Sequence, residues 1–367
     1  MSILIFIIIL AILILAHEFG HFIVAKKSGI RVDEFGLGFP PKLYGKKFGE
    51  TEYTINAIPF GGFVKIYGEN PTDVAPGGND DRSLIKKPRY IQALVIAAGV
   101  LFNILLAWIL ISWGFMIGLP TSEEALPRGG TLHNPQVTVT QVFEESPAEK
   151  GGLRVGDRIA VLGSGAEAIP PRTIGDVQNF IAVSSGKEID LQIVRGSEEH
   201  VISVIPENGV VPERAAIGVS LDVIGKATLP LHRALAQGAI LTGQLTQATT
   251  VAILGFIKTL FIGQGSFDDV LGPVGIVKTG IVANAIDFGF VYILTLTALI
   301  SINLAIINMI PFPALDGGRL LFLLIEAIKR SPINPKVATA ANGVGFVLLM
   351  LLMVLITYHD IVRPTLG

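Results

Sequence analysis

The sequence predicts an α-helical polytopic membrane protein with an inserted α+β domain and a cytoplasmic, membrane-associated β-loop. Half of the 367 residues are hydrophobic and only 16% are charged, a balance outside that of ordinary water-soluble domains. Four apolar runs approach or exceed the roughly 20 residues that a membrane helix needs. They cover residues 2–24, 90–119, 288–310 and 343–358.

A fifth run, residues 231–262, contains polar side chains such as His232, Arg233 and Lys258. This mixture favours an amphipathic helix at the membrane surface over a full crossing. A crossing here would also move the basic residues near Lys329 to the outer side. The expected cytoplasmic position of these basic residues therefore favours four membrane spans over five.

The distribution of basic residues predicts the orientation. The connection between the first two runs is rich in Lys and Arg, so it should be cytoplasmic, as should residues 319–336. The N-terminus is then extracytoplasmic. We expect a first membrane half at 1–119, an extracytoplasmic domain at 120–228, and an interfacial helix with a second membrane half at 229–367.

The first run carries His17, Glu18 and His21 near its inner end. Positions four apart share one face of a helix, so both imidazoles can reach one Zn²⁺, and Glu18 can accept a proton from water on that metal. A chance match or two packing histidines would be the alternative. Each ionisable group within a membrane helix costs roughly 2.5–3.5 kcal/mol, which makes that alternative weaker.

A catalytic zinc site needs a third protein ligand, and Asp316 is the best candidate. The chain has no cysteine, so the ligand must be His, Asp or Glu. Asp316 follows the third span in a segment broken by two prolines and two glycines. The histidine pair and Asp316 then both lie near the cytoplasmic leaflet. Glu326 is a weaker rival, because it lies close to Lys329 and could form an ordinary helical ion pair.

The inserted domain shows strand-like alternation at residues 137–140, 189–194 and 201–205. Its run at residues 146–159 resembles the signature of bacterial PDZ domains. Such domains can take an extended peptide at a sheet edge, so this domain could bind a peptide end. Alternatively it could restrict access to the membrane site without holding peptide.

Three features together resemble the site-2 protease family of intramembrane zinc metalloproteases, in its bacterial sigma-regulating branch. They are HEFGH on the first span, NMIPFPALDGG at residues 308–318, and the single PDZ-like insertion. The resemblance implies that His17, His21 and Asp316 bind Zn²⁺ and that Glu18 is the general base. It also implies that Asn308 holds or polarises the scissile peptide, as an amide donor could in a low-dielectric site.

The resemblance also concerns the second span. The family often has A-G-P-x-x-N there, whereas this chain has Ala98-Gly99-Val100-Leu101-Phe102-Asn103 and lacks the proline. The resemblance places Asn103 among the candidate substrate-binding residues.

Residues 34–65 predict glycine-bounded strands on the cytoplasmic side. The family resemblance implies a membrane-reentrant β-loop that offers an edge strand to the substrate, with Gly61, Gly62 and Phe63 as substrate-binding residues. Backbone pairing would replace the hydrogen bonds of an unwound substrate helix. An ordinary surface hairpin is the alternative.

The resulting hypothesis is an intramembrane zinc endopeptidase of the bacterial inner membrane. It would cleave single-span membrane proteins, such as anti-sigma factors or remnant signal peptides, in regulated intramembrane proteolysis. A transporter or ion-binding protein and an inactive PDZ scaffold are the alternatives. The formal net charge of −2 makes nucleic acid an improbable partner.

Overall fold

The computed structural model describes residues 1–69, 81–163, 168–196, 198–211, 214–263, 265 and 270–362. Its helices are α1 (Ser2–Lys27), α2 (Arg89–Ile117), α3 (Pro147–Lys150), α4 (Ile174–Val183), α5 (Leu231–Phe261), α6 (Pro273–Lys278), α7 (Ile281–Phe288), α8 (Phe290–Met309), α9 (Asp316–Lys329) and α10 (Pro335–Val362). A short 3₁₀ helix covers Leu84–Lys86. Its strands are β1 (Val32–Phe48), β2 (Thr51–Ile66), β3 (Leu119–Ser122), β4 (Thr131–Val142), β5 (Arg158–Leu162), β6 (Ile189–Arg195), β7 (Glu198–Val204), β8 (Glu207–Val211), β9 (Arg214–Ala216) and β10 (Val219–Thr228).

Five helices in the described part of the chain are long and apolar enough to cross a membrane: α1, α2, α5, α8 and α10. The chain is therefore a membrane-embedded protein. The best windows of α1, α2, α8 and α10 have mean hydropathies of 2.3 to 2.7, whereas that of α5 has 1.4. Since α5 also passes the length and hydropathy test, the expected count of four spans is not confirmed.

The described residues form two compact units. The first contains residues 1–110, 239–282 and 295–362, and the second contains residues 111–238 and 283–294. In the first unit, the end of α1 packs with the base of the β1–β2 hairpin and the start of α2. The apolar side chains buried there are Ala25, Ile30, Val32, Ile66, Leu84 and Val95.

Strands β1 and β2 lie where the glycine-bounded pattern predicts strands, and they form a hairpin that folds back on itself. Residues 32–37 pair with residues 62–66 and also with residues 52–55. Residues 42–48 pair with the other side of 51–56. Residues 62–66 are therefore one edge of this small sheet, and no described strand covers their outer side.

The turn between the two strands is tied to the inner end of α1. The Glu50 carboxylate accepts hydrogen bonds from Arg82 and from the Lys26 ammonium, the latter at 2.7 Å. These two cations, of which Arg82 has the larger effect, hold the pKa of Glu50 below its usual value. This contact fixes where the hairpin leaves the helix.

The second unit contains a six-stranded antiparallel sheet in the order β3-β10-β4-β5-β6-β7. The strands expected within residues 137–140, 189–194 and 201–205 are confirmed in β4, β6 and β7, although β7 ends at Val204. Val139, Leu191 and Ile193 point into its core, which α4 covers with Val177 and Ile181. Alternating burial along β6 gives the sheet one covered face.

Candidate metal centre and active site

Helix α1 presents His17 and His21 on one face, where α2 crosses it closely. The crossing depends on Gly20, because a Cβ at that position would overlap the carbonyl group of Ala98 and lie 2.9 Å from Phe102 Cβ. The absence of a side chain lets the two backbones approach, as small residues do between membrane helices. Both imidazoles consequently lie against α2.

Gly99 is the residue of α2 that faces the two rings. A Cβ there would overlap Nε2 of His21 and would lie 2.6 Å from Cε1 of His17. Real Cβ atoms do not make such contacts, so only glycine leaves both rings in this position. The functional reason for Gly99 was not foreseen from the sequence, because it depends on where the helices cross.

Asp316 begins α9 immediately after a tight turn. Ala314 in that turn has a φ of +76°, and its N–H donates to Oδ1 of Asn342 on α10 at 3.2 Å. Gly317 packs so tightly that a Cβ would overlap the carbonyl oxygens of Met309 and Ile310 at the end of α8. This packing directs the Asp316 carboxylate towards α1.

The three predicted ligands meet at one point. Asp316 Oδ2 lies 3.1 Å from Nε2 of His17 and 3.3 Å from Nε2 of His21. The two Nε2 atoms are themselves 3.3 Å apart. Atoms that coordinate one tetrahedral zinc with bonds of about 2.0–2.1 Å are separated by about 3.3–3.4 Å. The spacing of the three atoms therefore fits zinc.

The hydrogen-bonding pattern also fits a cation. Nδ1 of His21 lies 2.8 Å from the Val95 carbonyl oxygen, which can only accept, so Nδ1 carries a proton, and in the neutral imidazole Nε2 keeps its lone pair. A neutral His21 then has no hydrogen to give to Asp316 Oδ2, and this buried oxygen has no hydrogen-bond partner. Lone pairs that face one another in a buried site require a positive charge between them.

Two cavities meet at Glu18, and both are bordered by His17 and Asp316 as well. The first, of about 180 Å³, is completed by His21, Phe63, Val64, Ile66, Glu69, Val95, Ile96 and Arg319. The second, of about 280 Å³, is completed by Ile14, Gly61, Gly62, Leu304, Asn308, Ala314 and Leu315. The Glu18 carboxylate can thus reach a molecule that enters from either side.

The edge strand of the hairpin runs along this site. A Cβ at Gly62 would lie 3.0 Å from Ile14 Cγ2 and 3.4 Å from Glu18 Cγ, so the backbone passes close to α1. At the far end of the first cavity, Glu69 follows the strand and pairs with Arg319 at 2.9 Å. Neither Glu69 nor Arg319 was singled out from the sequence, because only the fold brings them to the cavity.

The structure brings most of the predicted site residues together. Asn308, Gly61 and Gly62 line the second cavity and Phe63 lines the first. Asn103 is fully buried behind His17 and borders neither cavity. Glu326, the weaker ligand candidate, instead accepts the N–H of Ile333 at 2.9 Å, and the described residues contain one possible metal cluster, His17, His21 and Asp316.

Comparisons with known proteins agree with this geometry. Residues 5–352 match the model of peptidase family M50. The chain is 38% identical over 358 residues to a protein of Clostridium perfringens whose name describes a zinc metalloprotease, with 96% of each chain covered. It is 31% identical over 442 residues to the regulator of sigma-W protease RasP of Bacillus subtilis, covering 98% of this chain and 97% of that protein.

Proposed function

The chain belongs to peptidase family M50, and from that premise we propose that it is an intramembrane endopeptidase whose substrates are single-span membrane proteins. As a member of this family it is a zinc metalloprotease of the site-2 type. The observation that carries the proposal is the convergence of His17 and His21, in the apolar helix α1, with Asp316 at the start of α9. The three side chains lie beside the Glu18 carboxylate and a strand edge that no described strand covers.

In the proposed reaction, His17, His21 and Asp316 hold the zinc. Zinc, when bound, supplies a Lewis acid that polarises water and the scissile carbonyl. Glu18 accepts a proton from the attacking water and returns it to the leaving amine. Its place between the two cavities allows both transfers, since it borders each of them.

Asn308 is the proposed partner of the scissile peptide. It lies near the inner end of α8 and lines the same cavity as Glu18. An amide N–H₂ group can donate to the carbonyl oxygen as negative charge develops there, and such a donor is worth roughly 3–4 kcal/mol in other hydrolases. The apolar surroundings strengthen that interaction.

The substrate is proposed to bind as an added strand along residues 61–66. A membrane helix has its amides internally bonded, so it must be unwound before hydrolysis. An edge strand supplies replacement backbone hydrogen bonds, and this edge borders both cavities. Phe63 would then contact the side chains of the bound segment.

The sheet domain of the second unit is proposed to be a single PDZ domain on the outer side of the membrane. Support comes from the run that resembles the PDZ signature, in which Ser146 caps α3 and Asp157 accepts the N–H of Arg154. The domain would bind the trimmed end of a substrate or limit access by size. The basic loops support an orientation with the N-terminus on that same outer side and the metal site near the cytoplasmic leaflet of the bacterial inner membrane.

The proposed substrates are anti-sigma factors or remnant signal peptides with one membrane span. One relative, from Bacillus subtilis, is named a regulator of a sigma factor and supports the first class. Substrates of both classes are membrane helices with no large outer domain. Such a helix could enter a site enclosed by α1, α2 and α8. Cleavage of either class would release a fragment from the membrane.

The decisive experiment compares the wild type, Glu18→Gln and Glu326→Gln, each purified in detergent, for bound zinc and for cleavage of a model single-span substrate. Zinc in all three, with cleavage lost only in Glu18→Gln, is the expected result. The Glu326 variant is a matched control, because this carboxylate lies on α9 but accepts the N–H of Ile333 after that helix and does not line either cavity. A wild type that binds zinc but leaves such substrates intact would contradict the proposed substrate class.

A further inference from the structure

One face of α2 contacts both histidines at three positions spaced by four residues. Val95 accepts the Nδ1 hydrogen of His21, Gly99 leaves room for the two rings, and Asn103 contacts His17. Residues four apart lie one above another on a helix. The same face therefore reaches both ligands, one turn on either side of Gly99.

Asn103 contacts His17 from a buried position on α2. The Asn103 side chain has no exposed surface, and its amide nitrogen lies 3.3 Å from Nδ1 of His17. Its Oδ1 is also buried and has no hydrogen-bond partner. An unpartnered buried acceptor costs roughly 1–3 kcal/mol, so the site gains if this oxygen receives a hydrogen.

The oxygen and the NH₂ group of the Asn103 amide have nearly the same shape, so either of them can face Nδ1 of His17. If the amide nitrogen donates to Nδ1, the proton of a neutral His17 must be on Nε2, which then cannot bind a metal. If Oδ1 accepts from Nδ1–H, Nε2 keeps its lone pair and points at Asp316. Only the second arrangement is compatible with a metal ligand.

The backbone of Asn103 is held independently of its side chain. The Ser301 hydroxyl on α8 donates to the Asn103 carbonyl oxygen at 2.8 Å, and Ser301 is fully buried. Because residue 103 lies inside α2, the hydrogen bonds of the helix hold this backbone as well. The bond from Ser301 involves no atom that touches His17.

We propose that Asn103 is a positioning residue that selects the tautomer and orientation of His17, as the Val95 carbonyl does for His21. The proposal rests on the zinc site of the proposed function. It gives Asn103 a role behind the metal rather than in direct contact with substrate. Loss of such a supporting hydrogen bond typically weakens metal binding by about 10- to 100-fold.

The test measures zinc affinity, by competition with a chromogenic chelator, in the purified full-length chain. Asn103→Leu keeps the branched shape of the side chain and removes the hydrogen bond, so its zinc dissociation constant should rise about 10- to 100-fold. Asn103→Asp keeps an acceptor at the same place and should stay within about threefold of wild type. A dissociation constant of Asn103→Leu equal to that of wild type would overturn the proposal.

Ser301→Ala is the matched control, because it disturbs the Asn103 backbone contact without touching the amide. It should bind zinc like the wild type, and equal weakening in Ser301→Ala and Asn103→Leu would also overturn the proposal. Should Asn103→Leu fail to fold, the smaller Asn103→Ser replaces it, with the same expected weakening. A wild type that binds no zinc would instead refute the metal site of the proposed function, so the two failures are distinguishable.

Discussion

Gly99 sets how closely the two histidine ligands can lie against α2. A methyl group at this position would overlap the His21 ring and press on His17. In Gly99→Ala the rings or the helices must shift, which separates Nε2 atoms that now lie 3.3 Å apart. We expect zinc content and cleavage both to fall at least about tenfold, since changing a residue that supports a metal ligand typically lowers metal affinity or activity by about 10- to 100-fold. Metal analysis and a cleavage assay on the same preparation test this.

Gly343→Ala is the control for that substitution. Gly343 lies in α10, and a Cβ there would have no neighbour within 4 Å. Alanine favours a helix over glycine by about 1 kcal/mol, so this variant should be at least as stable as the wild type and fully active. Full zinc content in Gly99→Ala would show that the helices accommodate the methyl group and that the proposed steric restriction is wrong.

At the scale of residues, the sequence allowed the prediction of the ligands but not of their supports. His17 and His21 have a spacing that any helix converts into one face, and Asp316 lies in a broken segment where few other charges are available. Their meeting in one cluster agrees with that prediction. Val95 contributes a backbone carbonyl, which no side-chain pattern can indicate, and Gly99 matters only because of a particular helix crossing.

The edge strand is the element on which substrate unwinding depends in the proposed function. Successive N–H groups of a strand point to opposite sides of that strand. Proline removes the N–H, so one of the variants Val64→Pro and Lys65→Pro loses an N–H that points out from the edge, and the other loses an N–H that points into the hairpin. The outward variant should keep the folded hairpin yet lose at least about tenfold in cleavage. Thermal unfolding and cleavage of a single-span substrate, measured together, separate the two effects.

Two controls accompany the proline variants. Val64→Ala and Lys65→Ala remove the same side chains but keep the backbone N–H, so they should remain active. Proline at Lys46 or Lys47 probes the opposite edge of the hairpin, which borders neither cavity. Equal loss of cleavage from outward prolines on both edges would argue against strand addition at residues 61–66.

Helix α6 is held to the end of α10 by a buried carboxylate and by the Lys278 ammonium, which donates to the carbonyl oxygens of Asp360 and Ile361. Asp360, 3% exposed, accepts the N–H of Gly275 at 2.7 Å and that of Gly272 at 3.3 Å. In Asp360→Ala these buried donors lose their acceptor at a cost of roughly 1–3 kcal/mol. Amide exchange of residues 272–279 should then accelerate about tenfold or more, measured by mass spectrometry. Ile361→Ala, at an exposed neighbour, should leave that rate unchanged, and equal rates in the two variants would show that the carboxylate does not hold α6.

At the scale of elements, the sequence showed that strands exist between the first two apolar runs but not how they pair. Residues 32–37 pair on both sides, which makes a small sheet from two long strands. Alternation of side chains is the same in either pairing, so it could not distinguish them. Likewise α10 begins at Pro335, eight residues before the predicted start at 343. These roughly two added turns are helical but too polar to look like a membrane segment.

The number of membrane crossings concerns the whole chain, and the metal site constrains it. His17 and His21 lie in the second half of α1, whereas Asp316 follows the end of α8. These residues converge to within 3.3 Å, so the end of α8 lies at the depth of the inner part of α1. Helix α8 must then run in the same direction as α1. We therefore expect that α5 does not cross the membrane completely, because a complete crossing would reverse α8.

Labelling of single cysteines tests this topology, because the chain contains no cysteine of its own. In intact cells, a membrane-impermeant maleimide should label Val183→Cys in the sheet domain, where the side chain is 79% exposed. Lys47→Cys in the hairpin and Lys329→Cys at the end of α9 should be labelled only after the membrane is opened. If α5 crossed the membrane, Lys329→Cys would react in intact cells together with Val183→Cys. Asp316 would then lie near the outer side while His17 and His21 lay near the inner side, and the three ligands could not share one metal ion.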